Sequence, residues 1–126
     1  MRRGDVFRLR LGRRPGHEQA GVRYGIIVQS DALMRLSTVL IAPTSTAARD
    51  ASFRPEIEIN GVTTRVLVEQ TGAVDASRLG EHQGHLTVEE QWGVDLALET
   101  VLDLQEPTPG SSRLAGRSSA RWRASW

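Results

Sequence analysis

At 126 residues, with 39% hydrophobic and 25% charged positions, the chain has the length of one domain and the composition of an ordinary soluble globular protein. No apolar run approaches the ~20 residues a membrane span needs. The basic N-terminus MRRGDVFRLRLGRR leads into no apolar stretch, so a secretory signal is not expected and a cytoplasmic location is. With no cysteine, disulfides, thiolate metal sites and cysteine nucleophiles drop out together.

The net charge of +1 conceals an uneven distribution. Residues 1–14 hold six arginines against Asp5, and residues 105–126 hold four (Arg113, Arg117, Arg121, Arg123) against Glu106. The balances are +5 and +3, which leaves −7 for the segment between. All 16 basic residues are arginine. Arginine suits bidentate contact with phosphate, although a GC-rich genome also writes arginine codons without any such purpose.

In chain order, residues 5–11 alternate, with Phe7, Leu9 and Leu11 on one face and Arg8 and Arg10 on the other, as a half-buried strand does. Residues 12–22, with three glycines and a proline, predict a loop. Residues 24–29 (YGIIVQ) and 38–42 (TVLIA) are apolar runs of strand length joined by a short polar and helical turn. Pro43 is expected to end the second run. Glu56-Ile57-Glu58-Ile59 alternates and meets Asn60-Gly61, a strong hairpin signal. The return strand carries Val62, Thr64, Val66 and Val68 on one face. Five short strands with tight connections predict a small twisted sheet or barrel. Thr87-Val88-Glu89-Glu90 is a capping box, and Val94, Ala97, Leu98, Val101 and Leu102 recur beyond it at helical spacing. Residues 105–126 lack any apolar period and are rich in serine, glycine, proline and arginine. A domain over 1–104 and a disordered tail over 105–126 are therefore expected.

The densest polar cluster is Gly16-His17-Glu18-Gln19-Ala20-Gly21-Val22-Arg23, a glycine-bounded loop running into a strand. Pro43-Thr44-Ser45-Thr46 stands at the end of another. Hydroxyls beside an arginine and a carboxylate are a set able to hold a phosphodiester without a metal ion. The three histidines are too scattered for a usual zinc spacing. His82 and His85 read as loop residues near the helix entrance. Trp92 reads as packing on the barrel, and Glu89, Glu90, Asp95 and Glu99 as a solvated helix face. Tyr24 and Phe53 read equally as stacking platforms for bases or as core.

Arg3-Gly4-Asp5-Val6 followed by the Gly16–Arg23 cluster closely resembles the opening of the MazF/PemK toxin family, R-G-D-[IV] and then G-x-E-Q-x-G-x-R-P. Ala42-Pro43-Thr44-Ser45 is similar to that family's second motif, in which a threonine or serine ends a strand. Val74-Asp75-Ala76-Ser77-Arg78-Leu79 resembles its V-D-x-x-R-L segment, and Gly84-His85-Leu86 its G-x-L before the last helix. The likeness runs over about residues 2–104, and the tail has no counterpart.

The resemblance implies a mainly β fold with α, a small SH3-like β-barrel of the CcdB/MazF kind with a C-terminal helix, acting as a homodimer. It further implies a toxin of a toxin–antitoxin pair, neutralised by a MazE-type antitoxin, that cuts single-stranded RNA without cofactor or metal. Carried over by motif, the catalytic residues are Arg23, Ser45 and Glu18, with Thr44 the one-residue alternative to Ser45. His17, Gln19, Thr44 and Tyr24 are the candidate RNA-binding residues. Tyr24 departs from the family, whose proline at that position restricts the preceding arginine to extended backbone.

The chemistry fits those residue types. The ribose 2′-OH attacks its own phosphate, leaving a 2′,3′-cyclic phosphate and a 5′-hydroxyl. The charge spread over the phosphoryl oxygens suits a guanidinium fork. Ser45 would donate to the phosphate, Glu18 would accept the 2′-OH proton or hold Arg23, and His17 is a candidate proton donor. Two rival readings share the fold: a CcdB-like inhibitor that binds a topoisomerase, and an inactive module that keeps only antitoxin or RNA contacts.

Overall fold

Strand β1 (Asp5–Leu9) opens a sheet built around a hairpin and a long central strand. The computed structural model describes residues 1–10, 23–35 and 37–104. Leu11, residues 12–22 with His17, Glu18 and Gln19, and residues 105–126 lie outside the described residues. Next come β2 (Tyr24–Ile27), a 3-10 turn at Asp31–Leu33, β3 (Thr38–Ser45) and the hairpin β4 (Glu56–Ile59) with β5 (Val62–Val66). Then follow β6 (Gly72–Asp75), β7 (Leu79–His85) and the helix α1 (Val88–Leu102). The sheet runs β4-β5-β3-β2-β1-β7, with β6 also paired to β3. Every one of its pairings is antiparallel. This is the mainly β fold with one C-terminal helix that the sequence implied.

The hairpin forms as read. Asn60 and Gly61 have φ of 52° and 81°, the left-handed pair that a two-residue hairpin turn of the right twist requires. The helix starts on its capping box: Thr87 Oγ1 accepts from the Glu90 N–H at 3.1 Å, and Glu90 Oε1 accepts from the Thr87 N–H at 3.0 Å.

Pro43 does not end β3. It lies inside the strand opposite Gly25, at the point where β3 exchanges neighbours along one edge. Residues Thr38–Ile41 pair with β6, and Thr44–Ser45 pair with β5. The missing N–H of proline falls in that gap, while its carbonyl still accepts the Leu67 N–H at 2.8 Å.

The sheet has two apolar faces. One packs Val6, Ile26, Val28, Ala42, Ile57, Ile59, Val66 and Val68 under the helix residues Val94 and Ala97, with Leu86, and Tyr24, Phe53 and Leu98 lean against them. The opposite face carries Ile27, Val39, Ile41 and Leu79, flanked by Phe7, Leu9, Met34 and Val74. Gly25 belongs to this second face, where a Cβ would stand 2.9 Å from Leu9 Cδ2. The helix seats only its first turns. Leu98 is half-buried, but Val101 and Leu102 are exposed, contrary to the expected stripe.

Two strands escaped the sequence reading, and β7 corrects the placement of two histidines. His82 and His85 are strand residues paired with β1, His82 opposite Phe7 and His85 opposite Asp5. Trp92 does not pack on the sheet and is 71% exposed. The acidic run is only partly a solvated face. Glu90 caps the helix and accepts the Glu58 N–H at 2.8 Å, and Asp95 pairs with Arg3 at 2.7 Å.

Candidate functional site

The Arg3-Gly4-Asp5 segment is a structural joint. Arg3 Nε donates to the Val28 carbonyl at 2.9 Å and its Nη1 meets Asp95 on the helix. Gly4 has φ of +93°, donates to Ile27 and accepts from Leu86, so its backbone bridges β2 and the end of β7. Asp5 is buried and takes the Arg2 N–H at 2.8 Å. Its Oδ1 lies 2.9 Å from His85 Nδ1 and 3.3 Å from His82 Nε2. Burial raises the Asp5 pKa, but the contacts with His85, the Arg2 N–H and His82 outweigh it and hold the carboxyl below its ordinary 3.8.

The candidate chemistry lies at the other end of the sheet's second face. Ser45 and Thr44 are separated by the alternation of β3. Thr44 turns inward and is 3% exposed, with its Oγ1 reaching 3.4 Å to the Tyr24 carbonyl. Ser45 turns the other way and is half-buried. Its Oγ accepts the Ala47 N–H at 3.2 Å, and among the described residues its own O–H has no acceptor and can donate.

The register brings Arg23 to the same place. β2 and β3 pair as Ile27↔Ile41, Ile26↔Ala42 and Gly25↔Pro43. Continued by two residues, that ladder sets Arg23 opposite Ser45, on one face and in the next row beyond Gly25. Arg23 enters β2 with its carbonyl held by the Leu9 N–H at 2.9 Å. Its backbone is thus fixed by β1 even though Tyr24 stands where proline would restrict it. Tyr24 itself leans on the helix-side core, and so does Phe53, which also carries the Arg54 guanidinium 5.6 Å from its ring centre.

One residue of this row went unread in the sequence. Arg65 is the cross-strand partner of Ser45 on β5, and Val66 beside it is buried with Thr44 on the opposite face. Its Nη2 meets Glu56 at 2.6 Å and its Nη1 meets Asp50 at 3.2 Å and the Arg54 carbonyl at 3.1 Å. The signal was available: Arg65 stands among the outward positions of a strand whose inward ones are Thr64 and Val66. Of the candidates named in the sequence, Arg23 and Ser45 fall on one face by the extended register and Thr44 turns away, while Glu18, His17 and Gln19 lie outside the described residues.

A curled antiparallel sheet with one helix on one face, and Arg23, Ser45 and Arg65 at neighbouring strand positions on the other, define a small β-barrel protein. The family of PemK-like, MazF-like toxins of type II toxin–antitoxin systems matches residues 2–102, and the chain belongs to it. A candidate toxin of Mycobacterium tuberculosis is 48% identical over 69 residues, which span 54% of this chain and 64% of that protein. The endoribonuclease MazF of Staphylococcus epidermidis is 32% identical over 111 residues, 82% of this chain and 92% of that protein. Among solved structures, an endoribonuclease in complex with its cognate antitoxin, from a mycobacterial species, superposes with a TM-score of 0.71 at 24% identity, covering 85% of this chain and 99% of that one. No described helix is long and apolar enough to cross a membrane.

Proposed function

We propose that this chain is the toxin of a type II toxin–antitoxin pair and acts as an endoribonuclease on single-stranded RNA in the cytoplasm. It works as a homodimer and is held inactive by a MazE-type antitoxin. Family membership supports the class of activity, and the curated staphylococcal relative is itself an endoribonuclease. The observation that carries the chemistry is the β2–β3 register, which, continued two residues past Gly25↔Pro43, sets Arg23 and Ser45 on one face of the sheet, with Thr44 turned to the core.

The reaction is an internal transesterification. The 2′-oxygen forms a bond to phosphorus and the bond to the 5′-oxygen breaks, leaving a 2′,3′-cyclic phosphate and a 5′-hydroxyl. Arg23 presents paired N–H donors to the phosphoryl oxygens as charge builds on them. Ser45 donates its O–H to the same phosphate and fixes its position. Glu18 takes the 2′-OH proton or holds Arg23, His17 supplies a proton to the leaving oxygen, and Gln19 contacts the RNA, while Tyr24, packed on the helix-side core, has no part in it. Because the arginine supplies the positive charge, the step needs no metal ion.

Incubation of the purified protein with a long RNA in EDTA tests this directly. Discrete fragments ending in 2′,3′-cyclic phosphate are expected. Fragments with 3′-hydroxyl ends, or cleavage abolished by EDTA and restored by a divalent ion, would contradict the mechanism. A protein inert on RNA that binds a topoisomerase, or binds only an antitoxin, would replace the reading with one of its rivals.

A further inference from the structure

The row that holds Ser45 continues past it. β5 places Arg65 directly opposite Ser45, on the strand flanking it on the side away from Arg23. Cross-strand partners carry their Cβ atoms about 4.5–5.5 Å apart, so Ser45 stands between two strand positions that carry arginines, Arg65 on β5 and Arg23 at the entry to β2. The Arg65 side chain is only 20% exposed and is anchored from several directions. The Arg54 carbonyl takes its Nη1 at 3.1 Å, Glu56 meets its Nη2 at 2.6 Å, and Asp50 meets its Nη1 at 3.2 Å. Among the described residues, nothing takes up its Nε–H. An arginine therefore projects from the position opposite the candidate hydroxyl, held in place, with a donor to spare among the described residues.

Its two acidic partners are loosely held. The Asp50 and Glu56 side chains are 86% and 57% exposed, and ion pairs with such exposed groups contribute little and are screened by salt. A phosphate can replace either one without leaving a buried charge unpaired. Glu56, the partner of Arg65 on β4, lies on its far side from Ser45 and draws the guanidinium outward from the scissile position. Two strand spacings, about 9–10 Å, separate the backbones of Arg65 and Arg23.

From this geometry we infer that Arg65 binds an RNA phosphate next to the scissile one, holding the chain across Ser45 while Arg23 serves the reacting phosphate. The inference rests on the endoribonuclease reading and adds a substrate-binding residue to it. Glu56 is the internal anion that Arg65 surrenders when RNA arrives. A group that binds a neighbouring phosphate acts equally in the ground and transition states, so its loss raises KM and leaves kcat alone.

The test uses the full chain and a short RNA containing the mapped cut site, cleaved as such and bound in a form made uncleavable by 2′-deoxy substitution at the cut. Arg65→Gln is expected to raise KM and Kd about 5–20-fold with kcat within about twofold. The slope of log Kd against log salt should fall by about 0.7, the share of one phosphate on a single strand. Arg65→Lys should recover part of the affinity as a point charge, and Glu56→Gln should tighten binding at low salt. A melting transition like that of wild type separates lost contact from lost fold. Should Arg65→Gln fail to fold, Glu56→Gln decides: unchanged Kd at low salt overturns the inference. Wild-type protein that cleaves while Arg65→Gln keeps its Kd and salt slope overturns Arg65 alone. Wild-type protein that neither binds nor cleaves RNA overturns the endoribonuclease reading and this inference with it.

Discussion

One peptide bond separates Thr44 from Ser45, and the alternation of β3 sends the first under Tyr24 and the second to the face shared with Arg65. Ser45→Ala should slow cleavage on the order of 10²-fold, the usual loss for one transition-state donor. Thr44→Val keeps the buried shape and gives up only a 3.4 Å contact, so stability should change by less than about 1 kcal/mol and cleavage should hold. Single-turnover rates and urea midpoints on both variants check the pair. A sensitive Thr44 beside a silent Ser45 would shift the motif by one residue. The sequence left the two as alternatives, because Pro43 was expected to end the strand before them, and it is the run of β3 through Pro43 that imposes the alternation. The roles of His82 and His85 were not legible either. Both meet Asp5, about 80 residues away in the chain, and nothing local foretells a pairing at that separation. Trp92 escaped for a related reason, since an aromatic on a helix looks the same whether its face is covered or bare.

Among the elements, those with strong local chemistry are the ones the sequence revealed. The hairpin at Asn60-Gly61 and the capping box at Thr87 and Glu90 each close within four residues. Gly61 has φ of +81° and open space around it, so Gly61→Ala adds backbone strain alone and should cost about 1 kcal/mol in urea unfolding. Gly4 is the stricter case. With φ of +93° its added Cβ would stand 2.5 Å from Gln91 Oε1 and 2.9 Å from His85 Cε1, so Gly4→Ala should cost roughly 2–3 kcal/mol. Equal losses at the two sites would show that the joint between β2, β7 and α1 is looser than its geometry. By contrast β7, Leu-Gly-Glu-His-Gln-Gly-His, has no apolar alternation and a glycine at φ of +149°. It is a strand because β1 offers it a ladder, with register shifts between Val6 and Phe7 and again before Leu9, and propensity gives way to such tertiary pairing. Pro43 misled in the opposite direction, since proline stops a strand only where its missing N–H is needed.

At the scale of the whole molecule, the sheet separates structure from chemistry. One face and the Arg3–Asp5 joint bind the helix to the strands, while the far end of the other face gathers Arg23, Ser45 and Arg65. Asp5 links the joint to acid stability. Its folded pKa lies below the ordinary 3.8, so the unfolded chain binds more protons as pH falls through that region. The stabilisation is therefore fully present above about pH 4 and is lost as pH drops through the lowered folded value. Asp5→Asn should lower stability at pH 7 by about 1–3 kcal/mol and flatten the decline between pH 5 and 3, as read by urea unfolding across that range. A variant with the acid dependence of wild type would place the acid-sensitive group elsewhere.

The central claim is that Arg23 acts on the phosphate as it reacts. Two arms measure it on one RNA: single-turnover cleavage in EDTA, and binding of the same RNA carrying a 2′-deoxy substitution at the cut site. Arg23→Ala should lose cleavage rate on the order of 10²-fold or more while Kd rises far less, and Arg23→Lys should remain severely impaired because the charge returns without the fork. An Arg23→Ala protein that still cleaves at near wild-type rate would contradict the account.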